Sequence, residues 1–317
     1  MARDTTATDD GLRELEVRAG LGLFASATQL DHLLAISRQL EVPAGHVLFE
    51  RDSSVDTVFQ VISGQLELRA PGQASWRVAE AGTAGFVDFM RGRAHTRDAV
   101  ATTAARLLEL DASEYRDYLE DNFGVTQRIM AELSAGITAD LVANPELHEL
   151  LASPAAAASR SFAALEQVPV VDRLVMLSRM TAFQGASMQG LASLAQSALE
   201  TRYAPGEVIA AAGSRSSLVS LLVEGEIQLE LPSGVRVMRR ARDFVAHVEE
   251  LATTPRLNVV IAATPAIVLQ IEREELLDRI EVHFDLAMTI FAFIAGEQEK
   301  LNDYAATAEV TLATDWK

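Results

Sequence analysis

Few side chains in this 317-residue chain stand at spacings that support known chemistry. The six histidines, His32, His46, His95, His148, His247 and His283, are scattered, and no two have the HExxH spacing that brings two imidazoles to one metal. There is no cysteine, so thiolate metal sites, disulfides and thiol nucleophiles are excluded. The glycines of Gly82-Thr83-Ala84-Gly85 are too close together for a dinucleotide fingerprint, and no GxxxxGK[ST] loop is present to cradle a triphosphate. No GxSxG elbow marks a nucleophilic serine. The acidic stretch from Arg273 to Glu281 reads as the charged face of a helix. These spacings point away from catalysis, so no enzyme and no metal site are expected, and binding is the chemistry to look for.

The elements that would position a binding site come as a repeat. Glu41–Ala70 and Arg202–Pro232 each carry Pro and Gly at a turn, a short apolar strand, a polar turn, a longer apolar strand, a glycine and an alternating strand. At an offset of 161 residues Gly45 pairs with Gly206, Val47 with Val208, Leu48 with Ile209 and Gly64 with Gly225. Leu66 pairs with Ile227, Leu68 with Leu229, Leu108 with Leu269, and Leu110 with Ile271. Gln65–Arg69 and Glu226–Glu230 alternate apolar and polar residues, as on half-buried strands. Ser63-Gly64 and Glu224-Gly225 mark tight turns.

A helix with apolar residues three and four apart precedes each strand set, Ser26–Gln39 in the first and Ser187–Leu199 in the second. Helical stretches follow the strands from Asp111 and from Arg273. Pro145, Pro154 and an alanine run interrupt the pattern, which places the boundary near residue 155. The expected divisions are a polar arm (1–20), a first domain (21–143), a linker (144–164), a second domain (165–301) and a tail (302–317).

Helix, small β-barrel and helices, with a short helical insert late in the barrel, resembles the cyclic nucleotide-binding domain family of catabolite activator proteins and protein kinase A regulatory subunits. The residues that carry the resemblance are Pro43-Ala44-Gly45-His46-Val47-Leu48, Val61-Ile62-Ser63-Gly64-Gln65-Leu66 and the barrel exit from Leu107 to Leu119. The fold it implies is α+β: two jelly-roll barrels, each flanked by helices. It also implies a phosphate cassette with a glycine, a ribose-binding Glu, an Arg and small residues, in which backbone N–H groups and the Arg meet the phosphate.

On that resemblance Gly85 matches the cassette glycine, Arg97 the arginine, and Ala99 a small position. Phe86 stands where the Glu belongs, Asp88 is its one replacement nearby, and Asp98 brings a carboxylate to the phosphate side and can pair with Arg97. His95 lies in the same loop. In the second half Pro255-Arg256 matches, but Val245, Ala246, Leu257 and Asn258 depart from the pattern, and Glu249 and Glu250 add negative charge. Two lost charge-assisted hydrogen bonds, at roughly 1.5–3 kcal/mol each, would move a micromolar ligand toward millimolar.

The resemblance therefore implies a non-catalytic regulatory or scaffold protein with degenerate ligand sites, acting through a protein partner. No cofactor is expected; the alternative is a sensor that takes a cyclic nucleotide or another small anion in its first pocket. Related exit helices dimerise, and Phe284, Ile290, Phe291 and Ile294 in the apolar last helix are the interface candidates, with packing inside the chain as the other reading. The net charge of -18 argues against nucleic acid. The 36 residues after Glu281 read as one helix and a polar tail, without a DNA-reading helix pair. The N-terminus lacks a signal-type apolar core, and the most apolar run, Leu286–Gly296, is about half what a bilayer span needs, so a cytoplasmic protein is expected.

Overall fold

The computed structural model describes residues 27–151, 166–214, 217–240, 243–245, 247–252, 255–308 and 312. The polar arm, the alanine run and the last five residues of the tail lie outside them. The chain divides into two compact units, residues 1–129 with 301–317, and residues 130–300.

The first unit opens with helix α1 (Ala27–Ala35), followed by strands β1 (Ser37–Val42), β2 (Val47–Phe49), β3 (Thr57–Ser63), β4 (Leu66–Arg69), β5 (Trp76–Val78) and β6 (Thr83–Ala84). A short helix, α2 (Phe86–Met90), precedes β7 (Asp98–Ala101) and β8 (Ala105–Asp111), and the chain leaves through α3 (Ala112–Asp121) and α4 (Phe123–Ala143). After the brief α5 (Leu147–Leu150) come α6 (Val170–Leu177) and α7 (Met188–Ser197). The second strand set is β9 (Leu199–Tyr203), β10 (Val208–Ala210), β11 (Leu218–Glu224), β12 (Glu226–Glu230), β13 (Arg236–Arg240), β14 (Asp243–Phe244), β15 (Val259–Ala262) and β16 (Ala266–Glu272). A 3₁₀ turn at His247–Glu250 replaces the short helix, and α8 (Arg273–Val282) and α9 (Phe284–Ala308) follow.

The strand order is duplicated. In the first unit the antiparallel sheets run β1-β8-β3-β6 and β2-β7-β4-β5; in the second they run β9-β16-β11-β14 and β10-β15-β12-β13. The registers repeat at the same offset of 161, as Val61↔Leu107 and Leu222↔Val268 show. Even the irregularities repeat, between Val61 and Ser63 and between Leu222 and Glu224. Alternation explains the burial: Leu66 and Leu68 point into one core, and Ile227 and Leu229 into the other.

Two sequence expectations are corrected and one is refined. The described ladders form two facing sheets per unit, as in a jelly roll, and are not closed into one barrel. The cause is at Gly64 and Gly225, where the chain passes from one sheet to the other, so β3 does not pair with β4, nor β11 with β12. The leading helix of the first unit is shorter than expected: it ends at Ala35, and Ser37–Val42 pairs with β8, because a six-pair ladder outweighs weak local helix preference. The second likewise stops at Ser197, with Ser187 capping its start by accepting from Gly190 N–H.

Phe284, Ile290, Phe291 and Ile294 are all buried within the single chain. Among the described residues no helix is long and apolar enough to cross a membrane.

Candidate functional site

Gly85 starts α2 with φ of 85°, a left-handed conformation that a side chain would strain. A Cβ there would also lie 3.2 Å from both the His95 ring and the Thr57 carbonyl oxygen. His95 is buried and stacks on Phe49 with ring centroids 3.6 Å apart. Asp88, one turn into α2, is buried beside it. The Asp88 carboxylate accepts from Arg93 Nε at 2.8 Å and from the Thr96 backbone N–H at 3.1 Å. His95 Nδ1 stands 3.6 Å from it, just beyond hydrogen-bond length. Burial resists ionisation of Asp88, but the neighbouring His95, Arg93 and Thr96 N–H outweigh it and hold the carboxyl below its usual range.

Arg97 belongs to a different cluster. Its guanidinium donates to the Ala74 carbonyl and to Gln73 Oε1, both at 2.8 Å, and to Asp303 Oδ1 at 2.6 Å. It lies 4.0 Å over the Trp76 ring. Asp98, for which pairing with Arg97 is one of two readings, accepts instead from the Arg51 backbone N–H at 2.7 Å. Ala99 is fully buried against the core, and Phe86 is half-buried.

In the second unit Arg256 is buried and donates to Glu250 Oε1 at 3.0 Å. Glu250 Oε2 accepts from Ser220 N–H at 2.6 Å. Glu249 accepts from the Leu257 backbone N–H and, at 3.3 Å, from Asn258 Nδ2. Burial pushes Glu250 up to about 7, against the pull of Arg256 and the Ser220 N–H. Glu249 is raised by burial as well, partly offset by Leu257 N–H, Arg256 and Asn258.

The backbone hydrogen bonds of the two sites correspond at the offset of 161. The His95 backbone exchanges hydrogen bonds with Asp52 and Ser53, as the Arg256 backbone does with Gly213 and Ser214. Asp88 accepts from Thr96 N–H where Glu249 accepts from Leu257 N–H. The position of Arg256 is therefore taken by His95 in the first unit, and Arg97 corresponds to Asn258. In both units a carboxylate of the chain itself sits on the backbone N–H that follows the basic position.

The family model described as cyclic nucleotide-binding domain matches residues 39–122. Residues 39–122 are a cyclic nucleotide-binding domain. No curated protein matches the chain. Among solved structures, the chain is similar to the regulatory domain of Toxoplasma gondii PKA crystallised with cAMP, at 13% identity over 90% of this chain and 95% of that one, TM-score 0.34. It is also similar to the regulatory subunit of a cAMP-independent protein kinase A from Trypanosoma brucei, at 14% identity over 90% and 91%, TM-score 0.36. A protein of Geobacter metallireducens shares 23% identity over 41% of this chain and 96% of that one, TM-score 0.36.

Against the cyclic nucleotide-binding pattern, the structure brings together Gly85, Asp88, His95 and Thr96 and leaves Arg97 outside, with no described hydrogen bond joining it to Gly85, Phe86 or Asp88. Sequence reasoning took Arg97 because it is the arginine nearest the expected spacing. The signal that finds His95 was present: the offset of 161, carried on into the cassette, takes Arg256 to His95 and Glu249 to Asp88. Among the described residues no group of His, Asp and Glu is arranged to hold a metal ion.

Proposed function

We propose that this chain is a non-catalytic regulatory protein of the cytoplasm whose two cyclic-nucleotide-binding-type units no longer take a cyclic nucleotide and which acts through contacts with a protein partner. The observation that carries this reading is the pair of internal carboxylates. Asp88 and Glu249 occupy the equivalent backbone N–H in the two units, and Glu250 also pairs with Arg256. A cyclic phosphate entering either site would bring a second negative charge against a buried carboxylate and find the backbone N–H of Thr96 or of Leu257 already engaged. In the first unit it would meet a histidine where the second unit has an arginine. Exposed Val170, Val171 and Val175 on α6 offer apolar surface for a partner.

The test is a thermal shift of the whole protein with cyclic AMP and cyclic GMP up to millimolar concentration. No rise in Tm is expected with either. A rise that grows with ligand concentration would show binding to the native state and overturn the reading. A pull-down that recovers a saturable protein partner is the complementary positive result.

A further inference from the structure

We propose that Arg97 and Trp76 form a carboxylate-binding site on the first unit, separate from the cassette, whose resident ligand is Asp303 near the end of α9. Residues from Leu301 onward belong to the same compact unit as Arg97 and Trp76. The receiving side is built. Arg97 is buried, with a side-chain exposure of 4%, and its guanidinium carbon lies 4.0 Å from the centroid of the Trp76 ring. The Ala74 carbonyl and Gln73 Oε1 fix its other N–H groups. Two donors then converge on one oxygen: Asp303 Oδ1 accepts from Arg97 Nη2 at 2.6 Å and from Trp76 Nε1 at 3.1 Å.

The ligand side is different. Asp303 is 49% exposed, so its carboxylate is reached by water and can leave without unpacking a core. A preorganised, buried receptor that faces a half-exposed ligand is the arrangement of an exchangeable site. Its chemistry suits a carboxylate: a charge-assisted bond from a planar guanidinium plus an indole N–H, both on one oxygen. The site is independent of the cassette reading, since Arg97 shares no hydrogen bond with Asp88 or Gly85.

The experiment uses the full chain with Trp316→Phe, so that Trp76 is the sole indole. Asp303→Ala is compared with its parent, after far-UV circular dichroism shows that it is folded. Loss of the carboxylate is expected to shift Trp76 emission to the red and to speed amide hydrogen exchange in 301–308 by roughly tenfold or more. Sodium acetate at about 0.2 M should then restore the Trp76 emission of the Asp303→Ala protein, whereas sodium chloride at the same ionic strength should not. Asp303→Asn, which keeps an acceptor for the indole but loses the charge, is expected to fall between. Unchanged emission and unchanged exchange in Asp303→Ala would overturn the proposal, as would equal rescue by chloride. None of these readings involves a cyclic nucleotide, so they stand or fall apart from the thermal-shift result.

Discussion

Glu250 shows how a carboxylate can close a binding site and still cost stability. It is buried against Arg256 and the Ser220 N–H, yet loss of solvent dominates and its carboxyl rises to about 7. A carboxyl whose native pKa lies above its unfolded value binds extra protons in the folded state between those two values, so stability falls as pH rises across that window. For Glu250 the window runs from the ordinary 4.5 to about 7. Raising the pH from 5 to 7.5 should weaken the second unit by an amount on the order of 1–3 kcal/mol. The measurement is native-state hydrogen exchange in β11 and β16, which reports on that unit alone. Glu250→Gln, a neutral isostere, should flatten most of the pH dependence, and an unaltered slope in the variant would show that Glu250 is not its source. Asp88 has the opposite sign: its carboxyl is held low, so its contribution is present above the ordinary 3.8 and is lost as pH falls through its lowered native value.

At the level of elements, the corner glycines decide how the strands are shared between sheets. Gly64 and Gly225 have φ of 93° and 95°, and a Cβ at either would lie 2.5 Å and 2.3 Å from the carbonyl oxygens of Ala104 and Pro265. Gly45 and Gly206 also have positive φ, 86° and 88°, but open space around them. Alanine at Gly45 or Gly206 should therefore cost only the backbone term, about 1 kcal/mol. Alanine at Gly64 or Gly225 adds a backbone clash that no rotamer relieves, and about 3 kcal/mol or more is expected. Circular dichroism melts of the four single variants test this ordering; equal losses would mean that the corners are not sterically closed. These glycines were legible in the sequence because two copies showed them in register. Their role was not, since strand-glycine-strand reads as a hairpin until the long-range pairing of β3 with β8 is known. The same holds for Ser37–Val42, where a distant ladder overrides the local helical spacing.

At the scale of the whole molecule, the duplication was the most legible feature, because paired apolar positions and glycines survive at one offset while the surfaces diverge. The site was less legible. Matching each half separately to a cassette picked Arg97, whereas following the repeat itself leads to His95 and to the carboxylates Asp88 and Glu249. No spacing rule in the sequence announces that Asp303, 206 residues beyond Arg97, supplies that arginine's partner. Charge is a property of the whole chain and needs no structure: 45 acidic against 27 basic residues leave a net -18. Phosphate backbones are bound by releasing counterions to Lys and Arg, and a surplus of carboxylates repels the duplex at any separation within a Debye length, about 10 Å at 0.1 M salt. The expected result is that the fluorescence anisotropy of a labelled DNA duplex stays flat as the protein is added to tens of micromolar at about 0.1 M salt. An anisotropy rise that collapses as salt is increased would reveal a basic surface that the net charge conceals, and would bring nucleic acid back among the partners.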